Sequence, residues 1–421
     1  SNVTRIYKRN NLHLFYDLVY HSALYITFQG QTIKGWTEGL VIGDSGQGKS
    51  ETISKLQKHY GLGEKIDVKC STAVGLVGGL QETSKRWFVS WGIIPLNDKR
   101  LVVLEEVKGM PEEVISKLTE VRSSGIAEIS KVEKAKTNSR TRLVWVSNPR
   151  SDRQVLSYNY GVETVKELIG NLEDIRRFDF AIILSSGDVD RKWVNISDRN
   201  RPKHEHRFTS SRCQQLILWG WSRDGKQVKF ESGAVDLILQ FSEKMGEKYS
   251  SQIPLVESAD QRLKLARLST SLAIRTFSTE DSESVLVRKC HVRFVHEYLS
   301  ELYDSATFGY KDYSDSLRHE TEVRDKDELV EKLKKMPHAR DVVRQMLDTV
   351  TISAFDLADM TGYDMDKCRE LVGVLVRKNA IKRKKRFYEK TPSFIAVLKE
   401  LQITGDLDNE TAYAQTSTED F

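Results

Sequence analysis

Eight consecutive residues have the types and the spacing of a phosphate-binding loop. They fit the pattern G-x-x-x-x-G-K-[ST] in full and are Gly43, Asp44, Ser45, Gly46, Gln47, Gly48, Lys49 and Ser50. The apolar run Leu40–Ile42 precedes them and the helical pattern Glu51–His59 follows, which is the strand–loop–helix context that the pattern requires. Glycines let backbone N–H groups turn towards phosphates, the lysine brings a charge to the β- and γ-phosphates, and the serine hydroxyl can ligate Mg²⁺. The loop predicts a site for ATP and Mg²⁺ rather than a glycine-rich turn with an incidental lysine.

Two carboxylates follow a second apolar run. Leu101–Leu104 leads directly into Glu105 and Glu106. We expect Glu105 to hold Mg²⁺ through water and Glu106 to orient and deprotonate the attacking water. The alternative is a strand that leads into an acidic helix cap. Glu105 stands where most such enzymes have Asp, and its extra methylene predicts a shifted metal and slow turnover.

A third apolar run ends in a polar side chain. Arg142–Val146 is followed by Ser147, Asn148 and Pro149. At a strand end, the Asn148 amide can hydrogen-bond the attacking water or the γ-phosphate, although Asn-Pro is also a common turn signal.

The elements that must position these residues form an α/β pattern. Strand-like runs, the last of them Phe180–Leu184, alternate with helical patterns through the first half of the chain, which predicts a mainly parallel sheet. Residues 213–305 are mostly helical in pattern, as in Ala234–Met245 and Ala259–Thr276.

Composition limits the class of protein. The chain has 421 residues, of which 39% are hydrophobic and 30% charged, so it can bury a sizeable core. We find no apolar run of about 18 residues for a membrane span. Four scattered cysteines without a CxxC pair fit a reducing cytoplasm, which is the predicted location.

Four further stretches resemble the minichromosome maintenance (MCM) group of AAA+ replicative helicases. Ser71–Leu76 resembles the group's Ser-Ser-Ala-Ala-Gly-Leu run, and Ala135–Thr141 resembles the β-hairpin before its sensor Asn. Val146–Pro149 is similar to its Ala-Asn-Pro, and Arg177–Asp179 to its Ser-Arg-Phe-Asp motif. The resemblance covers roughly residues 15–280 and implies an AAA+ P-loop core with a parallel sheet and a helical lid region, and the pattern beyond it predicts a C-terminal winged helix.

The resemblance and the local patterns together predict five segments along the chain. They are a lead-in at 1–35, the AAA+ core at 36–190, a lid-like helical region at 191–324, a winged-helix domain at 325–401 and an acidic, disordered tail at 402–421. An MCM protein normally carries an N-terminal oligonucleotide-binding region, and none fits before Gly43. We therefore expect either a trimmed chain or a compact relative of phage or mobile-element type.

The resemblance also implies a ring, a homo-hexamer with ATP between subunits. Arg177 would reach the γ-phosphate of the neighbouring subunit as an arginine finger. The alternative is an ion pair within the chain, with Glu173 or Asp174. A sensor-2 arginine is expected on the helix Ala259–Thr276, where we favour Arg262 over Arg267.

Two hairpins would face DNA in the central channel. In the first, the position matching the DNA-contacting lysine is Lys136, with Lys134 as the second choice. A second loop within Gly78–Trp91 carries paired basic and aromatic residues that suit a single strand, namely Lys85, Arg86, Trp87 and Phe88. A solvated loop over a buried Trp is the alternative for this segment.

The C-terminal pattern predicts a DNA-binding module. Ser353–Thr361 and Asp364–Lys378 form a helix-turn-helix pattern, followed by a basic wing with Lys382, Arg383, Lys384, Lys385 and Arg386. Between Arg377 and Lys390 there are eight basic residues and one acidic residue. Such a wing can grip duplex phosphates without reading sequence. The alternative is a protein-contact winged helix with a solvated wing.

Together these features predict an ATP-dependent DNA helicase or translocase that acts on single-stranded and forked DNA with other replication proteins. One alternative is an AAA+ initiator, helicase loader or duplex remodeller that hydrolyses ATP without unwinding. A further alternative is a nucleotide-gated DNA-binding regulator that barely hydrolyses ATP.

Overall fold

A computed structural model describes residues 3–83, 86–130, 134–190, 208–321, 323–349, 351–384 and 387–404 of the chain. The chain divides into two compact units, Ser1–Ser314 and Asp315–Phe421. Each unit has a hydrophobic core of its own.

The first unit alternates helices and strands. The elements that begin in it are α1 (Asn10–Tyr20), β1 (Tyr25–Phe28), β2 (Gln31–Lys34), β3 (Glu38–Gly43), α2 (Lys49–Tyr60), β4 (Glu64–Asp67), α3 (Ala73–Leu76), β5 (Gly78–Thr83), β6 (Arg86–Trp91), α4 (Ile93–Leu96), β7 (Leu101–Glu105), α5 (Glu112–Lys117), α6 (Thr119–Ser124), β8 (Ile126–Ser130), β9 (Lys134–Asn138), β10 (Arg142–Ser147), α7 (Glu163–Ile169), α8 (Leu172–Arg176), β11 (Phe180–Leu184), α9 (Ser210–Trp221), β12 (Val228–Phe230), α10 (Ala234–Lys248), α11 (Ser258–Arg275), β13 (Val285–Val287), α12 (Lys289–Asp304) and α13 (Tyr310–Thr321).

A five-stranded parallel sheet forms the centre of this unit. Its strand order is β11-β3-β10-β7-β4, and each neighbouring pair runs parallel. Every residue of β3, β10 and β11 is buried, because both faces of a parallel sheet are covered. The prediction of a mainly parallel α/β sheet is confirmed.

The polar ends of the strands meet at one edge of this sheet. Since the strands are parallel, the loops after β3, β7, β10 and β11 all leave from their carboxyl ends. The phosphate-binding loop, the paired glutamates and Asn148 follow three of these strands. The fold therefore brings the predicted catalytic residues to the same edge.

Helix α1 packs inside the lead-in segment, where the sequence pattern predicts no element. It buries Leu12, Phe15, Tyr16 and Val19. The ring of Phe15 stacks on that of Phe180, at the start of β11, with centroids 4.2 Å apart. The lead-in is thus part of the core of the first unit. Among the described residues, no helix is both long enough and apolar enough to span a membrane.

The second unit combines helices with a small antiparallel sheet. Its elements are α14 (Lys326–Lys334), α15 (Ala339–Asp348), β14 (Thr351–Ile352), α16 (Ala354–Thr361), α17 (Met365–Arg377), β15 (Ile381–Lys384), β16 (Phe387–Lys390) and α18 (Pro392–Thr404).

Local signals explain the pair α16–α17. Ser353 and Asp356 form a capping box at the start of α16. Gly362 ends that helix with φ 70°, and the Asp364 side chain caps α17 by accepting from the Lys367 N–H. The strands β15 and β16 then form an antiparallel hairpin that β14 extends. Most of the predicted acidic tail, from residue 405 onwards, lies outside the described residues.

Candidate active site

The phosphate-binding loop connects β3 to α2 and depends on its glycines. Gly46 and Gly48 have φ values of 76° and 77°, in the left-handed region that favours glycine. Position 43 requires glycine on steric grounds, because a Cβ there would lie 2.6 Å from the carbonyl oxygen of Leu184 on the neighbouring strand. The loop can therefore curl around a ligand at the N-terminus of α2, where free N–H groups favour anions.

Lys49 lies inside this loop and is almost fully buried. Its Nζ donates to the carbonyl oxygens of Gly43 and Asp44, at 2.7 Å each, and to Asn148 Oδ1 at 2.8 Å. Burial lowers the pKa of Lys49 to about 8, although the nearby carboxylates of Asp44 and Glu106 oppose that shift. The structure thus brings together two predicted residues, Lys49 and Asn148, that are far apart in the sequence.

The Asp44 side chain binds backbone groups of neighbouring loops, whereas the sequence pattern places Asp44 among the residues that bind the nucleotide. Its carboxylate accepts hydrogen bonds from the backbone N–H of Val155 at 2.8 Å and of Ser186 at 2.9 Å. These two N–H groups belong to the loops that follow β10 and β11. The Asp44 side chain therefore ties the phosphate-binding loop to its neighbours, and it is buried in doing so.

Glu105 is the last residue of β7, and the two oxygens of its carboxylate have different surroundings. Its Oε2 lies 3.0 Å from Nζ of Lys65 on β4. Its Oε1 is buried and has no hydrogen-bond partner in the part of the chain that the structure describes. A buried carboxylate oxygen without a donor is a suitable acceptor for a metal-bound water, so Glu105 and the Ser50 hydroxyl fit an Mg²⁺ ion.

Glu106 has a strained backbone. Its φ is 59°, which is uncommon for a residue with a side chain and is often found at functional sites. Its charge acts on Lys49 by raising the pKa of that lysine. No described residue forms a hydrogen bond or an ion pair with its carboxylate, which leaves it available as a base.

Arg9 and Ile6 were not predicted as site residues, yet both reach the phosphate-binding loop. Arg9 donates from Nη2 to Gln47 Oε1 at 2.5 Å and to the Ser185 carbonyl at 2.9 Å. The Ile6 side chain lies 3.2 Å from the point where Gly48 would carry a Cβ. No sequence motif marks either residue, because their contacts depend on how the lead-in packs.

Arg177 lies at the opposite edge of the sheet. It follows α8 and precedes β11, whose last residue, Leu184, pairs with Gly43. Strand β11, Phe180–Leu184, lies between them, and its four residue steps of about 3.3 Å alone cover about 13 Å. An arginine side chain cannot span this distance, so Arg177 does not reach the phosphate-binding loop of its own chain.

A basic cavity of about 410 Å³ contains Arg177. Its lining includes six cationic and two acidic side chains, which are Lys34, Arg122, Arg176, Arg177, Lys264, Arg267, Glu173 and Asp260. Burial lowers the pKa of Lys34 and of Lys264 to about 8. This excess of positive charge suits an anionic group.

No intramolecular ion pair holds Arg177 within the described ranges, where its Nε is buried without a hydrogen-bond partner. Asp174, one of the two alternative partners, instead binds Arg122 Nη1 at 3.1 Å. Arg122 is fully buried and also binds Glu38 Oε1 at 2.7 Å, so this network is structural. Arg177 is left to face the cavity.

Of the two candidates for sensor 2, the structure places Arg267 beside Arg177. Arg267 lines the same cavity, and its Nε lies 2.8 Å from Asp179 Oδ1, although the two atoms are not aligned for a hydrogen bond. Arg262, which the sequence analysis favours, is exposed on α11 and does not line the cavity.

Two antiparallel hairpins carry the predicted channel residues. In the hairpin β8–β9, Lys134 and Lys136 are exposed. In the hairpin β5–β6, the exposed residues include Arg86, Trp87 and Phe88. Strand β5 contacts β8, so the two hairpins are neighbours. Lys85 lies outside the described residues.

The predicted wing corresponds to the hairpin β15–β16. Lys382, Arg383 and Lys384 are exposed on β15, whereas Lys385 and Arg386 lie outside the described residues. Part of the basic run serves the fold itself. Lys390 donates to three carbonyl oxygens at the C-terminal end of α15, those of Met346, Leu347 and Thr349. Lys378 pairs with Asp325 at 2.7 Å and with Glu328.

Comparison with known proteins identifies the family of the first unit. Residues 19–195 match the family model of the MCM P-loop domain. No curated protein matches the chain. The matched range contains the phosphate-binding loop, the paired glutamates, Asn148 and Arg177. The chain therefore contains an MCM-like AAA+ P-loop domain within residues 19–195, the nucleotide-hydrolysing domain of a helicase family.

Proposed function

We propose that this protein is an ATP-driven DNA helicase or translocase that works as a ring of identical subunits. Lys49 would bind the β- and γ-phosphates, Glu106 would deprotonate the attacking water, and Asn148 would position that water. Ser50 and Glu105 would hold Mg²⁺, which neutralises phosphate charge when bound.

The position of Arg177 carries the proposal of a ring. Within one chain, the phosphate-binding loop and Arg177 lie at opposite ends of β11, which alone spans about 13 Å. When one copy packs head to tail on the next, the basic cavity of one subunit can meet the phosphate-binding loop of its neighbour. Arg177 and Arg267 would then stabilise the γ-phosphate from the adjacent subunit. A closed ring of six copies would complete every site.

DNA would bind along the two neighbouring hairpins. The lysines of β9 suit phosphates, and Trp87 and Phe88 suit stacking with bases of a single strand. In the second unit, α16–α17 and the hairpin β15–β16 have the element order of a winged helix. Its exposed lysines would grip the duplex ahead of the separated strands. We propose forked replication DNA as the substrate.

The first test is the steady-state ATPase rate with and without single-stranded DNA. We expect DNA to raise the rate, because the hairpins sit on the same unit as the catalytic edge. Lys136→Ala should lose this stimulation. A matched control is Lys117→Ala, since Lys117 is also an exposed lysine in a surface ion pair, 2.6 Å from Glu113, but lies on α5.

The outcomes separate the candidate functions. Stimulation that persists in Lys136→Ala would contradict the role of the β8–β9 hairpin. An ATPase that ignores DNA, combined with tight DNA binding, would favour a nucleotide-gated DNA-binding regulator. An ATPase that DNA stimulates without any strand separation would favour an initiator, helicase loader or duplex remodeller.

A further inference from the structure

The exposed face of the β8–β9 hairpin carries an acid as well as two lysines. In the strand register, Glu128 pairs with Lys136 and Ser130 with Lys134. The alternate residues of β8, Ala127 and Ile129, are buried on the other face. Side chains alternate along a strand, so Glu128, Lys134 and Lys136 share the exposed face. Together these three side chains carry a formal charge of +1, whereas the two lysines alone would carry +2.

Glu128 is held in place by contacts to both of its oxygens. Its Oε2 lies 2.8 Å from Lys136 Nζ, and its Oε1 accepts a hydrogen bond from Ser130 Oγ at 2.9 Å. Lys136 lowers the pKa of Glu128, and Glu128 raises that of Lys136. Within the described hairpin, Lys134 has no ion-pair partner. Among the described residues, a carboxylate therefore pairs with Lys136 and none pairs with Lys134.

A contact between Lys136 and a DNA phosphate can replace the ion pair between Lys136 and Glu128. The Lys136 side chain is 66% exposed in the pair with Glu128. Exposed ion pairs contribute little to stability, and a DNA phosphate offers the lysine an equivalent charge. A phosphate can thus replace the Glu128 carboxylate, and the carboxylate can take the lysine back when the phosphate leaves.

We propose that Glu128 competes with DNA phosphate for Lys136, whereas no carboxylate of the described hairpin competes for Lys134. The proposal rests on the proposed function and refines how the hairpin holds a strand. Glu128 holds the Lys136 ammonium during the intervals when no phosphate is bound. It also weakens the binding of Lys136 to each phosphate. A motor that moves along a strand needs such a contact to break at every step.

The test compares Glu128→Gln with the wild-type protein in binding a fluorescent single-stranded oligothymidine by anisotropy across a range of salt. Releasing one more lysine for phosphate should steepen the slope of log K against log salt by about 0.7. At 0.1 M salt the same relation gives about fivefold tighter binding. The matched control is Glu113→Gln, which removes an exposed acid paired with Lys117 on α5 and should change neither quantity.

A second variant removes ambiguity about folding and mechanism. If Glu128 acts through Lys136, Glu128→Gln should have no effect in a protein that already carries Lys136→Ala. The same affinity and slope in Glu128→Gln as in the wild type would overturn the inference. An equal gain in affinity with and without Lys136 would also overturn it, since the acid would then act only through its general charge.

The failure of this inference is distinguishable from failure of the proposed function. If Lys134→Ala combined with Lys136→Ala leaves DNA binding unchanged, the hairpin does not bind DNA and the proposed function loses its channel contact. If that double variant binds weakly while Glu128→Gln behaves like the wild type, only the competition by Glu128 is refuted.

Discussion

Removal of the Arg177 guanidinium should stop ATP hydrolysis while leaving an intact phosphate-binding loop in the same chain. The substitution Arg177→Ala takes away a side chain that faces the basic cavity and has no ion-pair partner in the described structure. The Arg177 side chain therefore does not stabilise the described fold through a salt bridge. We expect a folded protein that binds ATP.

The expected loss is large. An arginine finger typically contributes about 10³–10⁵ in turnover, because it stabilises charge that develops only in the transition state. Since Arg177 and the phosphate-binding loop of its own chain lie at opposite ends of β11, the whole of this effect must come from a neighbouring subunit. The variant should therefore fall to background hydrolysis at any protein concentration.

A mixing assay tests this arrangement directly. Arg177→Ala has an intact loop, and Lys49→Ala has an intact finger, so each variant alone should be inactive. In a 1:1 mixture that assembles at random, about one quarter of the interfaces join an intact loop to an intact finger. Mixing should therefore restore about a quarter of the wild-type ATPase rate, whatever the number of subunits in the ring.

Two results would refute this reasoning. Normal turnover by Arg177→Ala alone would show that Arg177 is not the finger. A mixture that remains as inactive as its two components, although size-exclusion chromatography shows mixed assemblies, would show that the site is not shared between subunits in the proposed way.

Three further perturbations test the site within one chain. Glu106→Gln should lower turnover by about 10²–10⁴ in a single-turnover assay while ATP still binds, because only the base is lost. ATP affinity measured by titration should fall as pH rises through about 8, because Lys49 loses its proton there. In Lys49→Arg this fall should move to higher pH, because arginine stays charged. Unaltered profiles would argue against a cationic Lys49 in binding. Asp44→Ala should lower the free energy of unfolding in urea by at least about 2 kcal/mol, since the buried N–H groups of Val155 and Ser186 lose their acceptor; an unchanged midpoint would refute this role.

The gathering of the candidate site residues at one edge of the sheet was largely predictable because its signals are local. A phosphate-binding loop needs its glycines and lysine at fixed spacing, and Glu106 and Asn148 each follow a short apolar run that is typical of a buried strand. Parallel strands then bring their carboxyl ends together whatever the intervening sequence. The strand β4 escaped prediction, because this edge strand is mostly polar and has no apolar run.

The contributions of tertiary packing were not predictable in the same way. Arg262 and Arg267 lie on one helix, five positions apart, and therefore on different faces. Only the packing of α11 shows which of them faces the cavity. Arg9 reaches the phosphate-binding loop through the fold of the lead-in, without a motif. The basic run near the C-terminus likewise mixes exposed lysines with Lys378 and Lys390, which bind groups of their own unit.

The most direct test of the central claim is ATP-dependent strand displacement on forked DNA, with a 3′ or a 5′ single-stranded loading arm. We expect displacement from one of the two forks, and loss of that displacement in Lys49→Ala. Displacement from neither fork by a protein whose ATPase is still stimulated by DNA would contradict a helicase and favour a loader or remodeller.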